Sequence, residues 1–356
     1  MKKFISALLV AALALSLFTG CGKKEDTTTI YVYNWGQYIA EGDDDSIDVI
    51  AEFEKKYPNI KVQYSTFDSN ETMYAKLKNG GITVDVVIPS DYMIGRMRQE
   101  GMLQELNYDN IPNAQYIDPS FRGMAYDPED KYSVPYTWGT VGIIYNTKYV
   151  DEADVTGWEL LWNEKYADKI LMFDNSRDAF GIAEYLLGYD VNTTDEAELK
   201  ACADKLAEQK PVVQQYVMDQ IFDAMENEEA WIAPYYAGDF LTMVEENEDL
   251  AFYRPAHQGY NVFIDAMCIP TCAQEKEAAE LFINFMCSPE ISAANLDFIG
   301  YSVPASESKQ YMDEEVVNDP VSYPDAEELR NATSFDYLPE EVSRKMESLF
   351  MAVRNG

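Results

Sequence analysis

Three short runs rich in β-branched residues, separated by two segments of helical period, fill residues 29–90 of this 356-residue chain, and no other feature constrains the fold as much. Residues 29–34 carry Ile30 and Val32 among tyrosines, 60–66 alternate apolar and polar, and 84–88 form an almost unbroken Val/Ile run. Between them, 46–56 places Ile47, Ile50, Ala51 and Phe53 at helical spacing, with Pro58 just beyond its end. Residues 70–78 follow Asp68-x-x-Glu71, the spacing of a capping box. Pro89-Ser90 opens a further helix. A β-α-β-α-β order of this kind folds as a mostly parallel sheet flanked by helices, and the 84–88 run reads as its buried strand.

A second unit begins after Tyr132-Ser133-Val134-Pro135-Tyr136-Thr137-Trp138. Strands are expected at 141–145 and 170–173, starting at 232–233, and across 262–270. Helices are expected at 178–187, 195–209, 220–228 and 275–286, and the acidic tail from about 310 should be mainly helical. Nothing reads as a repeat or as a linker between independent domains, so two lobes joined by crossing strands fit best. The hinge would lie near 135–140 and 260–266.

The first residues have a separate role. Met1-Lys2-Lys3 is basic, 4–18 is apolar, and Leu17-Phe18-Thr19-Gly20 leads directly to Cys21. This layout reads as an export signal over 1–20, its apolar part too short for an ordinary membrane span. The cysteine resembles that of a bacterial lipobox, although Phe18 stands where Leu, Val or Ile is commoner. Cys21 would then be the lipidated first residue of the mature chain, 21–28 its tether, and the outer face of the cytoplasmic membrane its place of work.

The charge is lopsided, with 27 Lys and Arg against 63 Asp and Glu, a formal net charge of −36. Nucleic acid and anionic lipid surfaces are therefore excluded as partners, apart from the lipid anchor itself. Such a field either keeps an exported protein soluble or draws in a cation. Aromatic content is 13%, with 26 Tyr and 5 Trp, enough to line a pocket as well as a core. The single histidine, His257, reads as a loop residue; one histidine argues against His-based zinc sites and a Ser-His-Asp hydrolase. Cys202, Cys268, Cys272 and Cys287 have no zinc or redox spacing and read as buried free thiols, one disulfide being the alternative. No metal or cofactor is expected.

Open α/β sheets bind ligands at the carboxyl ends of their strands. There the sequence offers Trp35 and Tyr38 after the first strand, Ser90 and Tyr92 after the third, and Asp174 to Asp178 after 170–173. It also offers Tyr235, Tyr236 and Asp239 after 232–233, and Phe263 with Asp265. Asp174 reads as a helix cap or turn residue. Asp178, Asp239 and Asp265 are candidate counter-ions.

Several stretches resemble the spermidine/putrescine-binding proteins of bacterial ABC importers. They are Tyr33-Asn34-Trp35-x-x-Tyr38, the run from Tyr64 through Asn70-Glu71-Thr72-Met73-Tyr74 to Lys78, Pro89-Ser90-x-Tyr92, Tyr132-Ser133-Val134-Pro135-Tyr136-x-Trp138-Gly139, Gly300-Tyr301-x-x-Pro304 and Tyr323-Pro324-Asp325-Ala326-Glu327. The resemblance covers nearly all of 29–330. It implies a type II periplasmic-binding-protein-like α/β fold of two lobes, each a mixed, mostly parallel sheet, with lobe 1 from 29–136 and 264–305 and lobe 2 from 137–263 and 306–356. It implies a monomeric, non-enzymatic lipoprotein that captures a polyamine and hands it to permease subunits. It implies that Trp35, Tyr38, Ser90 and Tyr92 line the ligand from the first lobe. From the second, Asp178 would face an ammonium, Tyr236 stands where Trp is common, Asp239 resembles the acid of a Trp-Ala-Gly-Asp pattern, and Phe263 and Asp265 match an aromatic-x-Asp element. Asn175 stands where spermidine-type members have a further Asp, and Phe335 where they have a polar residue; both departures favour a shorter diamine.

The chemistry agrees, because ammonium charges need carboxylates and methylenes suit aromatic faces. Rival ligands for the same scaffold are ferric ion, through Tyr235-Tyr236, and a sugar; a carboxylate-based hydrolase is a further alternative. Charge-driven recognition predicts that amine affinity weakens as salt rises. Titration calorimetry across ionic strength checks it, and a flat response would argue against it.

Overall fold

The computed structural model describes residues 27–43 and 46–356; Cys21 and the export signal lie outside them. The expected opening is present: β1 (Thr28–Trp35), α1 (Val49–Lys56), β2 (Ile60–Phe67), α2 (Asn70–Lys78), β3 (Val86–Val87) and α3 (Asp91–Gln99). β2 and β3 both pair parallel with β1. The 84–88 run contributes only two ladder residues. Around them, Asp85 accepts the Tyr31 amide with one oxygen and the Gln274 and Glu275 amides with the other, so a side chain replaces ladder bonds there. The cap of α2 is Ser69, which accepts from the Thr72 amide; the Asp68 capping box does not form, since the chain turns into the helix one residue later.

β4 (Ser133–Asn146) is a single strand where a shorter one was expected. Pro135 is accommodated because the register shifts between Pro135 and Thr137, a position where a missing N–H costs no ladder bond. Beyond it come β5 (Ile170–Phe173), α4 (Ser176–Leu187), α5 (Glu196–Gln209), β6 (Val213–Val217), α6 (Ile221–Glu226), β7 (Ile232–Tyr236), α7 (Ala237–Glu246), β8 (Leu250–Tyr253) and β9 (Tyr260–Cys268). Helices α8 (Lys276–Met286) and α9 (Pro289–Ile299), the short α10 (Glu314–Val317), strand β10 (Ala332–Thr333) and α11 (Glu340–Asn355) complete the chain. The tail is helical in pieces, at Glu314–Val317, in a 3-10 turn at Glu328–Asn331 and at Glu340–Asn355. Pro320 and Pro324 interrupt it, and most of 318–339 is irregular before α11 begins after Pro339.

The strand order is β2-β1-β3-β9-β4-β7-β5-β6, with β10 beside β9 and β8 beside β4. β4 and β9 are the crossing strands. They run antiparallel from Ser133 opposite Cys268 to Thr140 opposite Val262, after which β4 continues alongside β7 and β8. The expected hinge segments therefore lie in one paired ribbon, and two lobes of mixed sheet hang from it. On the first, Phe53 of α1 packs edge-on against Phe282 and Phe285 of α8, at 5.1 and 5.5 Å between centroids. On the second, buried Trp158 bonds the Gly259 carbonyl at 2.9 Å and stacks on Tyr185. Each such side chain contributes roughly 1.5–3 kcal/mol of burial. All four later cysteines are free; Cys202, Cys268 and Cys287 are buried, whereas Cys272 is exposed, because it lies in the turn that follows β9. His257 lies in an exposed turn.

Candidate functional site

The turn after β1 builds the first wall. Gln37 adopts a left-handed φ of 48°, a conformation that costs a non-glycine residue about 1–2 kcal/mol. The turn is held closed by Asn34 Nδ2 donating to the Tyr38 carbonyl at 3.2 Å and by Tyr136 Oη donating to the same oxygen at 2.6 Å. Tyr38 is thereby aimed at β9, where its hydroxyl donates to Asp265 Oδ2 at 2.7 Å. Asp265 is 4% exposed, and its Oδ1 has no hydrogen-bond partner among the described residues. Ser90 pairs with Asp265 in an isolated bridge and caps α3 without spending its hydroxyl on the helix. One turn on, Tyr92 Oη donates to Glu71 Oε1 at 2.9 Å and accepts from Asn70 Nδ2 at 3.1 Å.

The second wall comes from α4, β7 and α7. Asn175 is the cap of α4: its Oδ1 accepts the Asp178 amide and its Nδ2 donates to Asp178 Oδ2, both at 2.8 Å. Asp174, expected to cap or turn, instead pairs with Arg354 of α11, because the chain enters the helix one residue later. Tyr236 Oη donates to Asp178 Oδ2 at 2.9 Å. Its ring meets Phe263 edge-on at 5.3 Å, and Tyr301 bridges Phe263 to Tyr38, with a 4.8 Å contact to the latter. Trp35 leans on Phe67 at 4.6 Å and presents an indole N–H with no partner among the described residues.

Between the walls lies a cleft of about 720 Å³, solvent at its mouth included. All nine residues expected from sequence line it: Trp35, Tyr38, Ser90, Tyr92, Asp178, Tyr236, Asp239, Phe263 and Asp265. Asn175 and Phe335, the two departures from the spermidine-type pattern, line it too. Glu71, Asp91, Asp219, Phe222 and Tyr301 had not been assigned to it. Glu71 and Tyr301 stood inside quoted motifs, and Asp91 lay between Ser90 and Tyr92. Asp219 and Phe222 follow β6, a short and largely polar edge strand that sequence periodicity did not reveal.

Six carboxylates line this cleft, and among the described residues no Lys, Arg or His does. Burial therefore works against their charged forms. It pushes Asp265 up to about 6, partly opposed by the Tyr38 and Ser90 hydroxyls. It pushes Asp239 up to about 8, opposed by the Tyr301 hydroxyl and reinforced by Asp219 and Asp265. Asp178, Glu71 and Asp91 are raised by the same cause. The site suits an elongated cation with an apolar middle. It does not suit ferric ion: Tyr235 is buried, stacks on Phe173 at 5.4 Å, and is held neutral by burial and neighbouring Asp239.

The family described as bacterial extracellular solute-binding protein matches residues 48–322. A spermidine/putrescine-binding periplasmic protein of Escherichia coli is 35% identical over 332 residues, covering 93% of each chain. A putative spermidine/putrescine ABC transporter structure from Listeria monocytogenes is 37% identical with a TM-score of 0.86, covering 92% of this chain and 99% of that one. A lipoprotein of Treponema pallidum is 30% identical with a TM-score of 0.81, covering 92% of this chain and all of the other.

The raised carboxyls link cation binding to protons. An ammonium favours the charged forms, so binding at pH 7 should release protons, and affinity should fall by tenfold or more as pH drops from about 8 to about 5. Empty-protein stability runs the opposite way: carboxyls whose folded pKa is raised from 3.8 to about 6 and about 8 make it fall as pH climbs from about 4 to about 8. Calorimetry with an aliphatic diammonium ion in buffers of different ionisation enthalpy measures the release, and buffer-independent heats would sink the linkage.

Proposed function

The chain belongs to the bacterial extracellular solute-binding protein family, and we propose that its cleft captures a polyamine and presents it to the permease of an ABC importer. The observation that carries this reading is the cleft lining: six carboxylates, an aromatic shell, and no basic side chain among the described residues. The protein binds and releases its cargo and has no reaction to perform, since every carboxylate has a role as counter-ion. Its relatives' periplasmic placement supports export, and the layout ending at Cys21 supports a lipid anchor holding a monomer to the outer face of the membrane.

In this reading Asp265 grips one ammonium through its free Oδ1, with Tyr38 holding the other oxygen. Asp178, steadied by Asn175 and Tyr236, answers the second. Trp35, Tyr92, Tyr236 and Phe263 flank the methylenes, each face adding about 0.5–2 kcal/mol toward an affinity near −8 kcal/mol, which is micromolar. Ser90 contributes a hydroxyl and Asp239 a further charge. Buried Phe335 packs 3.9 Å from the Arg177 guanidinium and makes the cleft wall apolar where a third ammonium would need a polar group, which favours a diamine. The lobes, divided at 29–136 with 264–305 and 137–263 with 306–356, would close by bending of the β4–β9 ribbon.

Asp265→Ala should weaken binding about a hundredfold or more, and Trp35→Ala about tenfold, with unchanged circular dichroism. Calorimetry with putrescine, spermidine, spermine and cadaverine measures both, with ferric citrate and maltose as controls. Normal affinity in either variant would discredit the assigned pocket, and the rank order of amines reports on Asn175 and Phe335.

A further inference from the structure

Asp219 follows β6 on the second lobe, and Gly36 follows β1 on the first, yet the two meet across the cleft. A Cβ placed on Gly36 would collide with the Asp219 carboxylate. Asp219 is exposed at the rim, lines the same cavity as Asp265, and makes no ion pair among the described residues. Its negative charge is felt by Asp239, and Glu71 likewise feels Asp178. Asp219 thus lies beside Gly36, where its charge reaches Asp239, while Glu71, bonded by Tyr92, senses Asp178 elsewhere in the same cavity. Buried Asp265 lines the same cavity, and its Oδ1 calls for a donor that the described residues do not supply.

We propose that Asp219 is a ligand carboxylate of the second lobe, delivered across the cleft to a primary ammonium, and that the bare Gly36 leaves room for its carboxylate end. This rests on the polyamine reading and adds to it a residue and a steric condition. A Cβ at position 36 would push the Asp219 carboxylate end from its present place, so the amine there would lose part of its counter-charge. At the exposed rim, the pair that Asp219 makes with the ammonium is one that salt screens.

The experiment compares unmodified protein with Asp219→Asn, Gly36→Ala and the double variant, by calorimetry with putrescine and spermidine at low and moderate salt. Asp219→Asn should weaken amine binding about 5- to 10-fold and flatten its salt dependence, while the ligand-free protein melts no lower than before. A residue with a merely structural role would leave the salt dependence untouched. Gly36→Ala should lose affinity as well, and the double variant should bind no worse than Asp219→Asn, because both changes remove one contact. Additive losses would overturn the steric condition. Unchanged affinity and salt dependence in Asp219→Asn, with the unmodified protein binding amines, would overturn the role of Asp219 alone. An unmodified protein that binds no amine would overturn this inference together with the functional reading.

Discussion

A buried carboxylate that the protein itself satisfies only by half is the constraint around which this molecule is arranged. Asp265 lies on β9, one of the two strands shared by the lobes, and a tyrosine from the end of β1 occupies one of its oxygens. Leaving the other unpaired in a buried position costs on the order of 1–3 kcal/mol, more if the group is charged. Such a cost persists where the surroundings are over-determined. Here they are: Tyr38 is fixed by Asn34 and Tyr136, Tyr136 by Asn295, and Asn295 by the Ala40 amide. The network holds the site in a shape that, in the proposed function, an ammonium would complete.

The aromatic residues give that shape its stiffness. Phe173, Tyr235, Tyr236, Phe263, Tyr301 and Tyr38 touch in sequence, ring against ring, from β5 across β7 and β9 to the turn after β1. Rings in such contacts have few rotamers to lose when a ligand arrives, so little of the binding energy goes into ordering the walls. The hydroxyls among them also steady the carboxylates: Tyr236 bonds Asp178, and Tyr38 bonds Asp265. Packing and electrostatics are here one structure, and a change to a ring alters the charge beside it.

The electrostatics explain why so acidic a cleft can exist in a folded protein. Burial raises the carboxyls toward or into the neutral range, so the empty site stores protons in place of uncompensated charge. A polycation entering the cleft would exchange for those protons. The overall charge of −36 adds a long-range field that favours its approach.

The sequence by itself determined the elements whose periodicity is local. The β-α-β-α-β opening, α2 at Asn70–Lys78, β5 at Ile170–Phe173 and the rim residues at strand ends were all legible, because apolar spacing and strand-end position are properties of neighbours in the chain. Helix caps misread by one residue, as at Asp68 and Asp174, mark the limit of that reading, since Ser69 and Asn175 compete for the same role with similar chemistry. The tertiary structure alone decided which side chains meet. Tyr38 and Asp265 lie 227 residues apart, Asp178 and Tyr236 58 apart, and Asp219 reaches the cleft from the end of an edge strand whose polar residues give no alternating signal. Pairings of that kind depend on how β4 and β9 cross, and no local pattern encodes where two distant strand ends come to rest beside each other.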